Sequence, residues 1–186
     1  MLTQLIYTSY PAFPVRAGWL TGPLGEIVRA GRDHNARHQI SGILGVEVNR
    51  FFQIIEGPHE SVHETFERIR QDKRHFDVRL RHSCRIAVRT FQDWSVGFAA
   101  RAFLPPSEPL QMDFETATVE HIIHRGQVLR RYGVIAEAGL DDSEQPRRVG
   151  RRAAFGVLHV KGRKLAQSVV VAPEQPVLSG VALVLV

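Results

Sequence analysis

Two side chains define the chemistry to look for. Gln53 sits in the middle of the apolar run Phe51-Phe52-Gln53-Ile54-Ile55. An amide buried without a partner costs about 1–3 kcal/mol, so a glutamine in such a run calls for hydrogen bonds. Successive residues of a strand face opposite sides of its sheet. Phe51, Gln53 and Ile55 therefore share one face, and Leu5, Tyr7 and Ser9 share a face of the run near the N-terminus. If those strands are neighbours with these faces together, the Tyr7 phenol comes within reach of the Gln53 amide. The other reading leaves Gln53 on a solvated face, and its flanks Phe51 and Ile55 argue against that. An amide has a donor end and an acceptor end. Turning it over, or changing its tautomer, reverses a hydrogen-bond pattern without moving its neighbours.

Other polar residues admit two readings each. Asp33-His34-Asn35 falls where a helix is expected to run out. Asn tolerates the left-handed cap conformation and His suits the negative helix end. Alternatively, His34 and Asn35 aim an imidazole and an amide at a planar heterocycle beside the sheet. Arg68 and Asp72 have the i, i+4 spacing of a surface ion pair, and Arg74 and His75 after them read as ordinary loop residues. His59 and His63 are also four apart, but the remaining ligands of a zinc site are absent, so no metal is expected. Cys84 has no activating neighbour. Gly-x-Gly-x-x-Gly, the P-loop and Gly-x-Ser-x-Gly are all missing.

The elements that must hold these residues follow from periodicity. Strand character over Gln4–Ser9 is followed by apolar residues at helical spacing (Leu20, Leu24, Ile27, Val28), predicting a helix over Thr21–Ala36 with Thr21 as N-cap. Ser41–Val48 and Phe51–Ile55 read as a hairpin turning at Asn49-Arg50 and stopped by Gly57-Pro58. Val62, Phe66 and Ile69 predict a second helix over His59–Gln71. Val78–Val88 carries one or two strands' worth of β character, and Trp94–Ala100 follows the turn Phe91-Gln92-Asp93. The order β-α-β-β-α-β-β predicts an α+β, ferredoxin-like sheet with two helices on one face. A proline-marked linker at Pro105, Pro106 and Pro109 leads to a C-terminal helix over Phe114–Tyr132, whose stripe Val119, Ile122, Ile123 and Val128 suits the open face of the sheet or a dimer. Phe155–Val160 and Gln167–Val171 alternate weakly like strands. The expected division is a sensor domain over 1–101, linker and helix over 102–140, and a tail over 141–186.

Composition bounds the class. With 186 residues, 44% apolar and 23% charged, the chain is not wholly disordered, collagen-like or a disulfide scaffold. A lone cysteine makes no internal disulfide, which favours a reducing compartment and a cytoplasmic protein. Met1–Tyr10 lacks the pattern of a signal peptide. The apolar end Val181–Val186 is far short of the ~20 residues that span a bilayer. The window Asp141–Leu165 holds seven Lys/Arg against three Asp/Glu, so it carries most of the net charge of +5. A solvated segment is the plain reading of such a run, and a phosphate-binding patch is the other.

The matching segments are Leu5-Ile6-Tyr7-Thr8-Ser9, His34-Asn35-Ala36-Arg37, Ile40-Ser41-Gly42-Ile43-Leu44, Phe51 to Pro58, Asp72-Lys73-Arg74-His75 and Phe91 to Phe98. In order and spacing, over about 1–100, they make the chain resemble the BLUF domain, a blue-light sensor that binds FAD. The resemblance implies that Tyr7 passes an electron and a proton toward the excited flavin. It implies that Gln53 lies between that phenol and the flavin N5/C4 carbonyl edge, with Trp94 near the glutamine. By the same resemblance, Asn35 and His34 partner the polar pyrimidine side, and Arg68 and Asp72 contact the flavin and its ribityl side. Val96 stands where the family usually has methionine, and lacks the thioether and its reach.

The expectation is therefore a non-enzymatic, FAD-binding photoreceptor without a recognisable output domain. It would signal through its own C-terminal helix, through a dimer, or through an unidentified protein partner. The runners-up are a flavin-independent enzyme on the same scaffold and a nucleic-acid-binding module using Arg147–Lys164.

Overall fold

The structure, a computed structural model, describes residues 1–16 and 20–136. The basic window, the two weak strand patterns Phe155–Val160 and Gln167–Val171, and Val181–Val186 lie outside the described residues. The elements are β1 (Leu2–Pro11), α1 (Gly22–Arg37), β2 (Ser41–Glu47), β3 (Arg50–Pro58), α2 (His59–Arg70), β4 (His75–Ile86), β5 (Trp94–Phe98), α3 (Val119–Tyr132) and β6 (Val134–Ala136). One sheet takes all six strands in the order β4-β1-β3-β2-β5-β6. Its first four strands have the split βαβ arrangement of the ferredoxin-like fold, with β1 and β3 adjacent and antiparallel. β5 extends it, parallel to β2.

Side-chain parity sorts the core into two layers. On one face, Leu24 and Val28 of α1 pack with Leu44, Val46, Phe51, Val96 and Phe98. Val62 and Phe66 of α2 pack with Leu5, Tyr7 and Ile55 on that same face. A helix of twelve residues such as α2 is marginal in isolation; fully burying side chains like Val62 and Phe66 contributes about 1.5–3 kcal/mol each. The opposite face carries Ile6, Ile43, Phe52 and Ile54, covered by Ile122, Val128 and Leu129 of α3. Val119 and Ile123 pack against the same layer. The apolar stripe of α3 is therefore taken up by its own sheet.

Three local expectations change, and the one left between one and two strands resolves to one. The hairpin turns at Val48-Asn49, because Glu47 pairs with Arg50 and Asn49 takes the positive φ of 54°. Arg50 is instead the first residue of β3, held by Tyr10 and Glu115. Gly57-Pro58 does not stop the strand: Gly57 pairs with Thr3 and Pro58 with Leu2, and a terminal strand position tolerates a missing N–H. The region 75–86 is one long strand, bulged against β1. The last helix begins at Val119, capped by Thr118, whose hydroxyl accepts from the His121 N–H. Phe114 is left to pack beside Phe52 at a ring separation of 5.2 Å. The three-residue β6 had no expectation at all.

Gly42 is the one position in β2 where a side chain is excluded twice. Its φ is +138°, and a Cβ would stand 1.9 Å from the Ile54 carbonyl oxygen. Among the described residues no helix is long and apolar enough to cross a membrane.

Candidate functional site

The register of β1 against β3 sets Tyr7 directly opposite Gln53. Both are buried, at 3% and 5% exposure. The Tyr7 hydroxyl donates to Gln53 Oε1 at 2.6 Å. Burial, and secondly the Asp72 carboxylate, hold the Tyr7 phenol well above its ordinary pKa. The phenol is thus protonated and has a hydrogen to give. That direction leaves the Gln53 NH₂ group pointing elsewhere, and it has no acceptor among the described residues.

Gln53 and Tyr7 line a cleft between α1, α2 and the sheet that encloses about 790 Å³ including its mouth. Ile27, Leu44, Phe51 and Ile69 supply apolar walls. Asn35, at 3% exposure, also lines it. Its amide makes no side-chain hydrogen bond within the described residues. The Trp94 ring closes another side, its Nε1–H buried without a partner. Gly31 on α1 admits the indole closely; a Cβ there would stand 3.3 Å from it.

The mouth is cationic. Arg68 and Arg74 line it. Burial, with repulsion from Arg37 and Arg74, holds the Arg68 guanidinium below its usual pKa. Asp72 lies past the end of α2 and bonds Arg74, not Arg68: Arg74 Nη2 reaches Oδ2 at 2.6 Å, and Nε and the backbone N–H both reach Oδ1 at 2.9 Å. Those bonds from Arg74 hold the Asp72 carboxyl below the usual carboxylate range. The expected i, i+4 pair is replaced because the chain turns at Gln71 before Asp72 can face back along the helix.

Six of the seven residues singled out by sequence line this one cleft: Tyr7, Asn35, Gln53, Arg68, Asp72 and Trp94. His34 does not line it. Its Nε2 meets Thr65 Oγ1 at 2.9 Å, and its ring stacks on His38 at 3.9 Å. It braces α1 against α2 from behind Thr65, which does line the cleft. Among apolar residues of the two helices, Ile27 and Ile69 line the cleft, whereas Val28 is fully buried in the layer below. Val96 is fully buried opposite Leu44, which separates it from Gln53 across the sheet.

Three polar lining residues escaped the sequence reading: Thr65, Arg74 and His75. Thr65, Arg68 or Ile69, and Asp72 recur at helical spacing, a signal that points Thr65 at the same cleft. His75 bridges Ser9 Oγ at 2.9 Å and the Ile69 carbonyl at 2.7 Å. The carbonyl can only accept, so Nε2–H is the donor to it.

Burial, followed by the charges of Arg68, His38 and Arg37, pushes the His34 pKa down to about 4. A pKa depressed on folding gives stability that is present above the ordinary histidine value of about 6.5 and lost as pH falls through the folded value. Urea unfolding of the native protein should therefore show stability declining from about pH 6.5 toward pH 4, and His34→Gln should flatten that decline.

The residues fit a flavin. Its isoalloxazine is a planar apolar ring system edged with carbonyls and one N–H. The apolar walls accept its faces, the unpartnered amides of Gln53 and Asn35 accept its edge, and the arginines at the mouth suit its phosphates.

Comparison with known proteins agrees. The family model described as "Sensors of blue-light using FAD" matches residues 2–97. The β subunit of a photoactivated adenylate cyclase of Euglena gracilis is 35% identical over 112 residues, covering 59% of this chain and 12% of that protein. The blue light- and temperature-regulated antirepressor BluF of Escherichia coli (strain K12) is 35% identical over 78 residues, 42% of this chain and 18% of its own. This chain thus spans under a fifth of the length of either relative. Among solved structures, the dark state of the BLUF protein BlrB superposes with a TM-score of 0.52 at 28% identity, covering 66% of this chain and 92% of that one. Cleft, register and comparisons converge: this chain belongs to the BLUF family, the blue-light sensors that use FAD.

Proposed function

We propose that light is registered by the Tyr7–Gln53 pair and read out through β5 to α3. Bound FAD supplies the absorption of blue light; the response belongs to the chain's own side chains. One observation carries the reading. The buried Gln53 amide takes a hydrogen bond from Tyr7 on its oxygen and offers its NH₂ group, unpartnered among the described residues, to the flavin cleft. Moving the Tyr7 proton, or turning the amide over, exchanges donor for acceptor at the cleft edge. Trp94 borders the same space, while Asn35, Arg68 and Asp72 hold the ring and its side chain. His34 acts through Thr65.

Purified protein loaded with FAD should be yellow. Its flavin absorption should move to longer wavelength under blue light and return in the dark. A spectrum that does not respond to light, or a response that does not reverse, sinks the proposal.

β5 is suited to the relay because its residues alternate faces. Trp94 borders the cleft and Val96 packs on the cleft face, whereas Ser95 points to α3 and accepts from Arg130 Nη1 at 3.0 Å. Arg130 also pairs with Asp93 just before the strand. Replacing Arg130 by methionine should leave the light-induced spectral shift intact. It should also reduce by severalfold the light-dependent change in amide exchange measured over 119–132. Equal exchange changes in both proteins would remove α3 from the relay.

The same reading divides the chain into a sensor over 1–101, a linker and helix over 102–140 and a tail over 141–186. It assigns no reaction to the chain and places it in the cytoplasm. A protein partner or a second copy receives the signal. Arg147–Lys164, on which a nucleic-acid role would rest, lies outside the described residues.

A further inference from the structure

We propose that His59 and His63 form a two-imidazole chelate for a divalent transition-metal ion of the Zn²⁺ or Cu²⁺ type, apart from the flavin cleft. The segment reads His59-Glu60-Ser61-Val62-His63, which is His-Glu-x-x-His. On a helix that spacing sets both imidazoles on one face, the arrangement by which such motifs bind zinc. The structure puts the segment in the first turns of α2, with both rings exposed and their centres 4.4 Å apart.

That separation suits a shared ion. Metal–nitrogen bonds of about 2.0 Å put each ring centre roughly 3 Å from the metal, so two rings 4.4 Å apart subtend a nearly right angle at it. The rings now meet edge to face, and side-chain rotation at the exposed surface converges them.

His59 is already braced. Its Nδ1 meets Thr3 Oγ1 at 3.0 Å, and Thr3 is buried in β1. A bond at one ring nitrogen orients the other as a ligand, leaving Nε2 of His59 for the ion. His63 makes no hydrogen bond or ion pair among the described residues. Glu60 and Glu64, both exposed, add negative charge that offsets the positive N-terminal end of the helix. No third His, Cys, Asp or Glu converges with them among the described residues; that absence removes the closed zinc site weighed from the sequence, and leaves a two-imidazole site whose coordination water completes.

A second pair with the same spacing shows what is missing elsewhere. His34 and His38 stack face to face, with His34 Nε2 on Thr65 and His38 Nδ1 on the His34 carbonyl. Stacked rings do not direct two lone pairs at one ion.

The test is a titration of the untagged, flavin-loaded full chain with CuCl₂ or ZnCl₂, followed by calorimetry and, for Cu²⁺, by electron paramagnetic resonance. The wild type should bind one equivalent more than the His59→Ala/His63→Ala variant, with hyperfine structure from two nitrogens. Each single variant should weaken that equivalent at least tenfold, and Thr3→Val should weaken it about tenfold. His38→Ala, which removes the stacked pair, should leave it unchanged. An unchanged flavin spectrum reports that each variant is folded. Equal stoichiometry and affinity in the wild type and the double variant, both with intact flavin spectra, overturns the site without touching the photoreceptor reading.

Discussion

The Tyr7→Phe protein should bind flavin and show no light-induced shift to longer wavelength, and the Gln53→Ala protein should behave the same way. Phenylalanine keeps the ring that packs 5.6 Å from Phe66, so the cleft wall persists. What is lost is the hydroxyl that donates to Gln53 Oε1. A typical intramolecular hydrogen bond contributes about 1 kcal/mol to stability, too little for its loss to unfold the domain. Its loss is decisive for the switch, because nothing then distinguishes one orientation of the amide from the other. Gln53→Ala removes the amide itself and leaves Tyr7 without its acceptor. The expected effect is complete loss of the shift in both variants, read as the difference spectrum before and after blue light. If either variant shifts and recovers like the native protein, the pair is not the switch.

The second large effect is on stability and lies on the opposite face of the sheet. Arg125 of α3 is fully buried, and its Nε donates to Glu47 Oε1 at 2.6 Å. The same guanidinium reaches the Leu110 carbonyl, and the other Glu47 oxygen accepts from the Met112 N–H. The pair thus pins α3 and the segment around 110–112 to the end of β2. Removing one partner of a buried ion pair costs about 3–5 kcal/mol, because the remaining charge is left uncompensated. Arg125→Met should therefore lose stability on that order in urea unfolding at pH 7.

The pH dependence of that loss has a definite sign. Burial already pushes the Glu47 pKa up, and Arg125 works against that push. A carboxyl with a raised folded pKa contributes stability that is present below its unfolded value and lost as pH rises through the folded one. Without Arg125 the upward push is unopposed. The variant should regain much of its loss on acidification toward pH 5, and Glu47→Gln added to Arg125→Met should recover part of it at pH 7. A single variant as stable as the native protein would show that the pair contributes little.

The sheet and its cleft-facing helices were legible because their signals are local and periodic. Leu24 and Val28, Val62 and Phe66, and the alternation around Gln53 each report a buried face at short range. The errors came where local preference met tertiary demand. Asn49-Arg50 looks like a turn, yet Arg50 is held by Tyr10 and Glu115, the latter sixty-five residues away, and so joins the strand. Gly57-Pro58 looks like a stop, yet β1 supplies partners for both residues. Arg74 and His75 look like loop residues because their contacts, with Asp72, Ser9 and Ile69, depend on where the chain goes after α2.

Taken alone, the order of residues determined which side chains share a face. It set a phenol on one strand, an amide on another, and the polar residues at the helix ends. Face-sharing follows from periods of 2 and 3.6 residues, which operate within a single element. The tertiary structure decided what lies across from what. It brought Tyr7 into register with Gln53, gave Asp72 to Arg74 instead of Arg68, and seated the α3 stripe on its own sheet. Those outcomes depend on strand order and on charges buried between distant segments, and no local period encodes them.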